Sequence, residues 1–241
     1  MLKRIVKRLA IGFFCTFIVL IVMRLFIEGR YIPSTAMTPT LQVGDRILVE
    51  KVSRLIKAPS HRGDIVLFYP PPIEFGAKII DSGPAAVLGR ITGRPEFPQT
   101  PCFIKRVIGL PGETIEIKRG QGVFINGRLL NEDSYLKAQL NGDGGEHSKE
   151  PDGVHQTPQY NLKHLGDIMG LNTKGEEIKP FSASLAEKPI VVPAGHLFVL
   201  GDNRNASEDS HVWGFIDQNR ILGRAWMKWY PKLERLNPPE Y

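Results

Sequence analysis

Residues 9–23 (LAIGFFCTFIVLIVM) carry no charge, and residues 25–27 (LFI) extend the apolar run past Arg24. A helix of about 20 apolar residues matches the hydrocarbon core of a bilayer. That reserves residues 9–27 for a spanning anchor and leaves the folded domain to residues 28–241. Arg24, near one end, can snorkel its guanidinium to the interface. A cleavable secretory signal would end at small residues, whereas this run continues into Leu25, Phe26, Ile27 and Glu28. An uncleaved, single-pass anchor is the expectation. Lys3, Arg4, Lys7 and Arg8 precede it, so the positive-inside rule places residues 1–8 in the cytoplasm and the chain after residue 28 outside it.

The net charge of +6 does not indicate a nucleic-acid partner. Lys3, Arg4, Lys7, Arg8 and Arg24 carry most of that excess, with no acid among the first 24 residues, and the remainder is close to neutral. The basic character belongs to a membrane flank. No basic stripe with interleaved aromatics is present, so nucleic acid is not an expected partner. Cys15 and Cys102 provide no disulfide framework. Cys102 reads as a structural cysteine.

Beyond the anchor the pattern is β. Stretches 46–52, 64–69, 103–108, 114–118, 190–192, 197–200 and 221–230 are short and rich in Val and Ile. Stretches 122–125 and 128–130 flank Asn126-Gly127, a strong hairpin signal. Gly and Pro punctuate the strands, and no long amphipathic helix or repeat is apparent. Residues 70–101 and 131–188 read as insertions of loop-like composition. The expected fold is mainly β: an antiparallel core over residues 28–130 and 189–241, with 131–188 as a smaller β-rich cap.

Three stretches carry candidate chemistry. Residues 31–51 open on the turn Pro33-Ser34-Thr35-Ala36-Met37. Residues 103–112 (FIKRVIGLPG) hold Lys105 in an apolar strand, where alternation puts Phe103, Lys105 and Val107 on one face and Arg106 on the other. Residues 201–214 (GDNRNASEDSHVWG) form a polar loop rich in hydroxyls and carboxylates. Asp45, Asp64 and Asp202 each follow a glycine at a strand boundary and read as turn-formers. A strand lysine is ordinarily solvated. It becomes a general base only when neutral, which at ordinary pH requires its pKa of about 10.4 to fall by several units, as apolar burial would cause. Metal or Ser-His-Asp chemistry is not expected. His61, His147, His155, His164, His196 and His211 lack metal-ligand spacing, and there is no Gly-x-Ser-x-Gly turn. No cofactor is implied.

Jointly these stretches resemble the type I signal peptidases, membrane-anchored serine proteases that use a Ser/Lys pair. The string IKR-x-x-GLPG at 104–112 is the strongest single match. The resemblance extends over the anchor and over 31–69, 103–130 and 190–230, leaving both insertions unaccounted for. It implies that Lys105 is the general base and that a Pro-Ser-x-Ser-Met turn supplies the nucleophile. The nucleophile position holds Ala36. A methyl group cannot attack a carbonyl. The Ser34 hydroxyl and the N–H of residue 36, implied as oxyanion donors, both survive, so binding is expected to outlast turnover.

The same resemblance makes Ser207 the residue that orients the Lys105 amine. It also gives Asp202, Asn203, Arg204 and Asp209 supporting roles, Asp209 through an ion pair. The arginine usual two places after that aspartate is His211 here, which leaves Asp209's partner open, with Arg204 a candidate. Ala36 admits three readings: a serine-to-alanine replacement in an otherwise complete enzyme, a natural non-catalytic relative, or attack by Ser34 or Thr35. The last would misplace the attacking oxygen on the ångström scale, at a cost of about 10²-fold or more.

The implied substrates are preprotein signal peptides, cleaved after small residues at −1 and −3. An extended segment would pair with strand edges, and Ile32, Pro33, Met37, Phe103 and Ile104 would line its shallow pockets. The implied partners are the lipid bilayer and a nearby secretion translocon. The implied location is the plasma membrane or a thylakoid-type membrane. The reading from another class is a membrane-tethered signal-peptide-binding protein without catalysis.

Overall fold

The computed structural model describes residues 2–69, 102–118, 121–140, 188–204 and 206–239. The insertion at 70–101 and most of the expected cap lie outside them. Helix α1 (Leu2–Phe26) contains the expected anchor except for Ile27, which opens strand β1 (Ile27–Tyr31). Among the described residues, no helix is long and apolar enough to cross a membrane.

β1 pairs antiparallel with β2 (Arg46–Glu50), from Ile27 opposite Glu50 to Tyr31 opposite Arg46. The sequence pattern did not mark β1 as a strand, because its five residues IEGRY carry two charges and a glycine. At the junction, Glu28 pairs with Arg30 and Lys51, and the Lys51 N–H donates to Phe26 O at 2.8 Å. β2 also ends earlier than expected. Glu50 Oε2 accepts from Ser53 N at 3.0 Å and starts a one-turn helix, Val52–Leu55.

The remaining strands of the large sheet are β3 (Ile65–Phe68), β4 (Phe103–Gly109), β9 (His196–Leu200), β10 (Ile216–Asp217), β11 (Ile221–Tyr230) and β12 (Glu234–Arg235). Their order is β1-β2-β11-β3-β4-β9-β10, with β12 on β11 and every pairing antiparallel. A second sheet runs β7-β6-β5-β8, from β5 (Thr114–Lys118), β6 (Gly122–Ile125), β7 (Arg128–Leu129) and β8 (Ile190–Val191). Asn126 and Gly127, at φ 50° and 78°, make the expected tight β6–β7 turn, in a left-handed conformation that glycine adopts without steric cost. The fold is mainly antiparallel β, as expected. The start of the 131–188 segment is instead a helix, Asp133–Leu140.

Strand alternation sorts the core into three clusters. On β3, Ile65 and Leu67 face the first cluster, with Ile32, Met37, Leu41, Ile47 and Val49, while Val66 and Phe68 face another, with Val107, Leu197 and Val199. β9 is likewise buried on both faces: Leu197 and Val199 join that same cluster, and Phe198 and Leu200 pack with Ile115, Val123 and Ile125 of the small sheet. Burial on both faces explains why these strands read as unbroken apolar runs. It also leaves β4, between β3 and β9, in a low-dielectric interior.

Candidate active site

The turn at 32–45 closes the β1–β2 connection. Ile32 N donates to Asp45 O at 2.9 Å and Gly44 N to Ile32 O at 3.0 Å. Leu41 N donates to Met37 O at 2.8 Å. Ile32, Met37 and Leu41 are buried in the first cluster and pin the turn to the sheet. Ala36 is left half-buried on top of it, and Pro33 and Ser34 are exposed. Of the expected pocket residues, Ile32 and Met37 are thus core side chains, and Phe103 and Ile104 are half-buried on β4.

Lys105 is 5 % exposed. It stands opposite Val66 and alternates with Phe103 and Val107, both packed in the cluster that includes Val66. Its Nζ donates to Ser207 Oγ at 2.8 Å and lies 6.0 Å from the Phe103 ring centre. Ser207 Oγ donates in turn to Asp209 Oδ2 at 2.7 Å, and Gly201 N donates to the same oxygen at 2.8 Å.

The other carboxylate oxygen, Asp209 Oδ1, accepts from His211 Nδ1 at 2.5 Å and from His211 N at 3.2 Å. Arg204 is therefore not the partner of Asp209. It pairs with Glu132 and donates from Nε to Gly201 O at 3.0 Å. Burial alone pushes the Asp209 carboxyl up. The His211 charge and hydrogen bond, then Lys105 and the Gly201 N–H, outweigh burial and hold it at about 2, below its ordinary 3.8.

Gly201 brings the Ala36 turn to this chain. A Cβ on Gly201 would lie 2.1 Å from Ser207 Oγ and 2.5 Å from Ala36 O. Asn203 fastens the same contact, donating from N to Ala36 O at 3.0 Å and from Nδ2 to Thr35 O at 3.2 Å. The Ala36 carbonyl and the Ser207 hydroxyl that holds the Lys105 amine thus both approach Gly201.

Asp202 is a correction to the sequence reading. It lies at a bend but is more than a turn-former: a buried carboxylate paired with Arg106, with Nε–Oδ1 at 2.7 Å and Nη2–Oδ2 at 2.6 Å. Asp45 and Asp64 do accept backbone N–H groups three residues upstream, at 2.9 and 2.8 Å. Sequence reasoning missed Glu132; for Arg106 it left solvent or a carboxylate open, and the carboxylate is Asp202. An arginine next to a buried lysine was a signal that an acid must follow it inside. No group of His, Cys, Asp and Glu that could hold a metal occurs among the described residues.

The site is that of an antiparallel β protein in which a buried amine, a hydroxyl and a carboxylate line up beside a tight turn. The chain belongs to the family described as signal peptidase, peptidase S26, whose model matches residues 3–230. That is a serine endopeptidase family. "Probable signal peptidase I-1" of Synechocystis sp. (strain ATCC 27184 / PCC 6803 / Kazusa) is 36% identical over 212 residues, covering 88% of this chain and 76% of that one. Signal peptidase I of Leptolyngbya laminosa is 34% identical over 214 residues, covering 88% and 74%. The chloroplastic thylakoidal processing peptidase 1 of Arabidopsis thaliana is 30% identical over 206 residues, covering 85% of this chain and 42% of that one.

Proposed function

We propose that this chain is a membrane-anchored signal peptidase I whose nucleophile position is occupied by Ala36, so that it recognises signal peptides without hydrolysing them. The observation that carries this is the buried Lys105 amine, 2.8 Å from Ser207 Oγ and adjacent to the turn of residue 36. With a serine at 36, its oxygen attacks the scissile carbonyl carbon while neutral Lys105 takes the hydroxyl proton. The oxyanion accepts from the N–H of residue 36 and the Ser34 hydroxyl. Lys105 then gives its proton to the leaving amine, and the peptide C–N bond breaks. A water deprotonated by the same amine hydrolyses the acyl-enzyme. With Ala36 the first bond has no nucleophile, and peptide binding is what remains.

The substrates are preprotein signal peptides with small residues at −1 and −3. Ile32, Pro33, Met37, Phe103 and Ile104 shape the pockets, the two core side chains from beneath. The apolar run of residues 9–27, with four cations ahead of it in the sequence, anchors the protein once in a plasma or thylakoid-type membrane with the N-terminus cytoplasmic. The β domain then works outside the cytoplasm near the translocon. Ala36 itself favours a second reading, a tethered signal-peptide-binding protein. Incubating the Ala36→Ser protein with a preprotein separates the two. Release of the signal peptide supports the peptidase, and continued binding by a folded protein without cleavage supports the tether.

A further inference from the structure

His211 stands where the family resemblance expects an arginine, and it is 4 % exposed against a fully buried Asp209. Asp209 divides its oxygens: Oδ1 takes both His211 donors, and Oδ2 takes Ser207 Oγ and Gly201 N. A hydroxyl has one proton, and Ser207 gives it to Asp209. Toward Lys105, Ser207 is therefore an acceptor, which fixes one N–H of the amine. When that amine is neutral, its lone pair points away from Ser207.

We propose that His211 is a positioning residue of this site: acting through Asp209, it sets the direction of the Ser207 hydroxyl and the protonation of the Lys105 amine. The proposal rests on the signal peptidase reading above. An arginine in this place is a permanent cation, whereas an imidazole donates through Nδ1–H whether or not it is charged. A charged ring counters the Asp209 carboxylate and disfavours an ammonium at Lys105. A neutral ring leaves the carboxylate free to favour that ammonium.

Among the described residues, two buried charged groups nearby are already matched, and Glu208, between Ser207 and Asp209, is half-buried. Arg106 on β4 is paired with Asp202, and Arg204 with Glu132. β9, against which the one-turn helix Ser210–Trp213 packs, contributes only His196, whose Nδ1 lies 3.0 Å from Ala194 O. Ser210 Oγ accepts from Val199 N at 2.9 Å, and Trp213 packs on Phe68.

The test is an NMR titration of ¹³C-labelled lysine in the protein as it stands, with the Lys105 signal assigned by Lys105→Met. It is compared with His211→Arg and His211→Gln, or His211→Asn should the glutamine variant not fold. The Lys105 midpoint is expected to be lower in His211→Arg than in the uncharged variant by about 0.5–1 pH unit, with the native protein between or at one limit. Equal midpoints in folded proteins overturn the proposal. In the Ala36→Ser background, the acid limb of kcat/KM should follow the same order with KM little changed. Ordered midpoints without any preprotein cleavage sink the peptidase reading but not the role of His211. Cleavage with coincident midpoints and limbs does the reverse.

Discussion

Arg106 and Asp202 meet in a two-point ion pair, Nε–Oδ1 2.7 Å and Nη2–Oδ2 2.6 Å, with both residues buried. The guanidinium also donates to Gly63 O at 3.0 Å and to Thr40 Oγ1 at 3.3 Å, and lies 4.3 Å from the Tyr135 ring centre. One residue along, on the other face of β4, is Lys105. One residue before Asp202 is Gly201. The pair therefore holds the loop that carries Ser207 and Asp209 against the strand that carries the amine.

Arg106→Ala strands the Asp202 carboxylate in the interior. Removing one member of a buried pair costs about 3–5 kcal/mol, and denaturant unfolding should show a loss of that size. The double replacement Arg106→Met with Asp202→Leu should recover much of it. A single variant as stable as the native chain would contradict the role given to the pair.

Gly201→Ala is expected to damage the site more than the fold. The new methyl would meet Ser207 Oγ at 2.1 Å and the backbone oxygen of residue 36 at 2.5 Å, so one of the two segments must shift. In the Ala36→Ser background, kcat should fall by about 10²-fold, as ångström-scale misplacement does. Unchanged turnover would mean that the two segments separate easily.

Lys105→Met, also with serine installed at 36, keeps a long apolar side chain in the same place and removes the base. Cleavage should drop by about 10²–10⁴-fold or more while circular dichroism stays native. A variant that still cleaves at a comparable rate excludes Lys105 as the base.

Asp209 gives the fold an acid dependence. Its folded carboxyl is held at about 2 against an ordinary 3.8, so the unfolded chain binds the proton first as pH falls. The stability it contributes, about 2 kcal/mol, is complete above pH 3.8 and lost as pH falls through about 2. Urea unfolding at a series of pH values from 2 to 5 should show a shallower slope for Asp209→Asn than for the native protein. Parallel slopes would rule this out.

Much of the β architecture was legible in the sequence because strands buried on both faces need continuous Val, Ile, Leu and Phe. β3 and β9 carry that mark. The strands that escaped were short or charged: β1, of which only Ile27 was read into the anchor, carries two charges and a glycine, and β10 and β12 have two residues each. Among the site residues, the Lys105–Ser207 contact was expected from motif resemblance. The partners of the charged side chains were not. Asp202 read as a turn residue and Arg204 as a candidate partner of Asp209, since a one-dimensional string does not say which carboxylate faces which guanidinium inside.

The sequence by itself determined an apolar segment of membrane-spanning length, a chain of antiparallel strands, and a lysine set among apolar neighbours beside a turn whose nucleophile position is a methyl. Tertiary structure decided that Asp202 belongs to Arg106, Glu132 to Arg204, and Asp209 to His211 and Ser207. The physical reason is that a buried charge must find its counter-charge in space. Those partners lie as much as 96 residues apart along the chain, as Arg106 and Asp202 do.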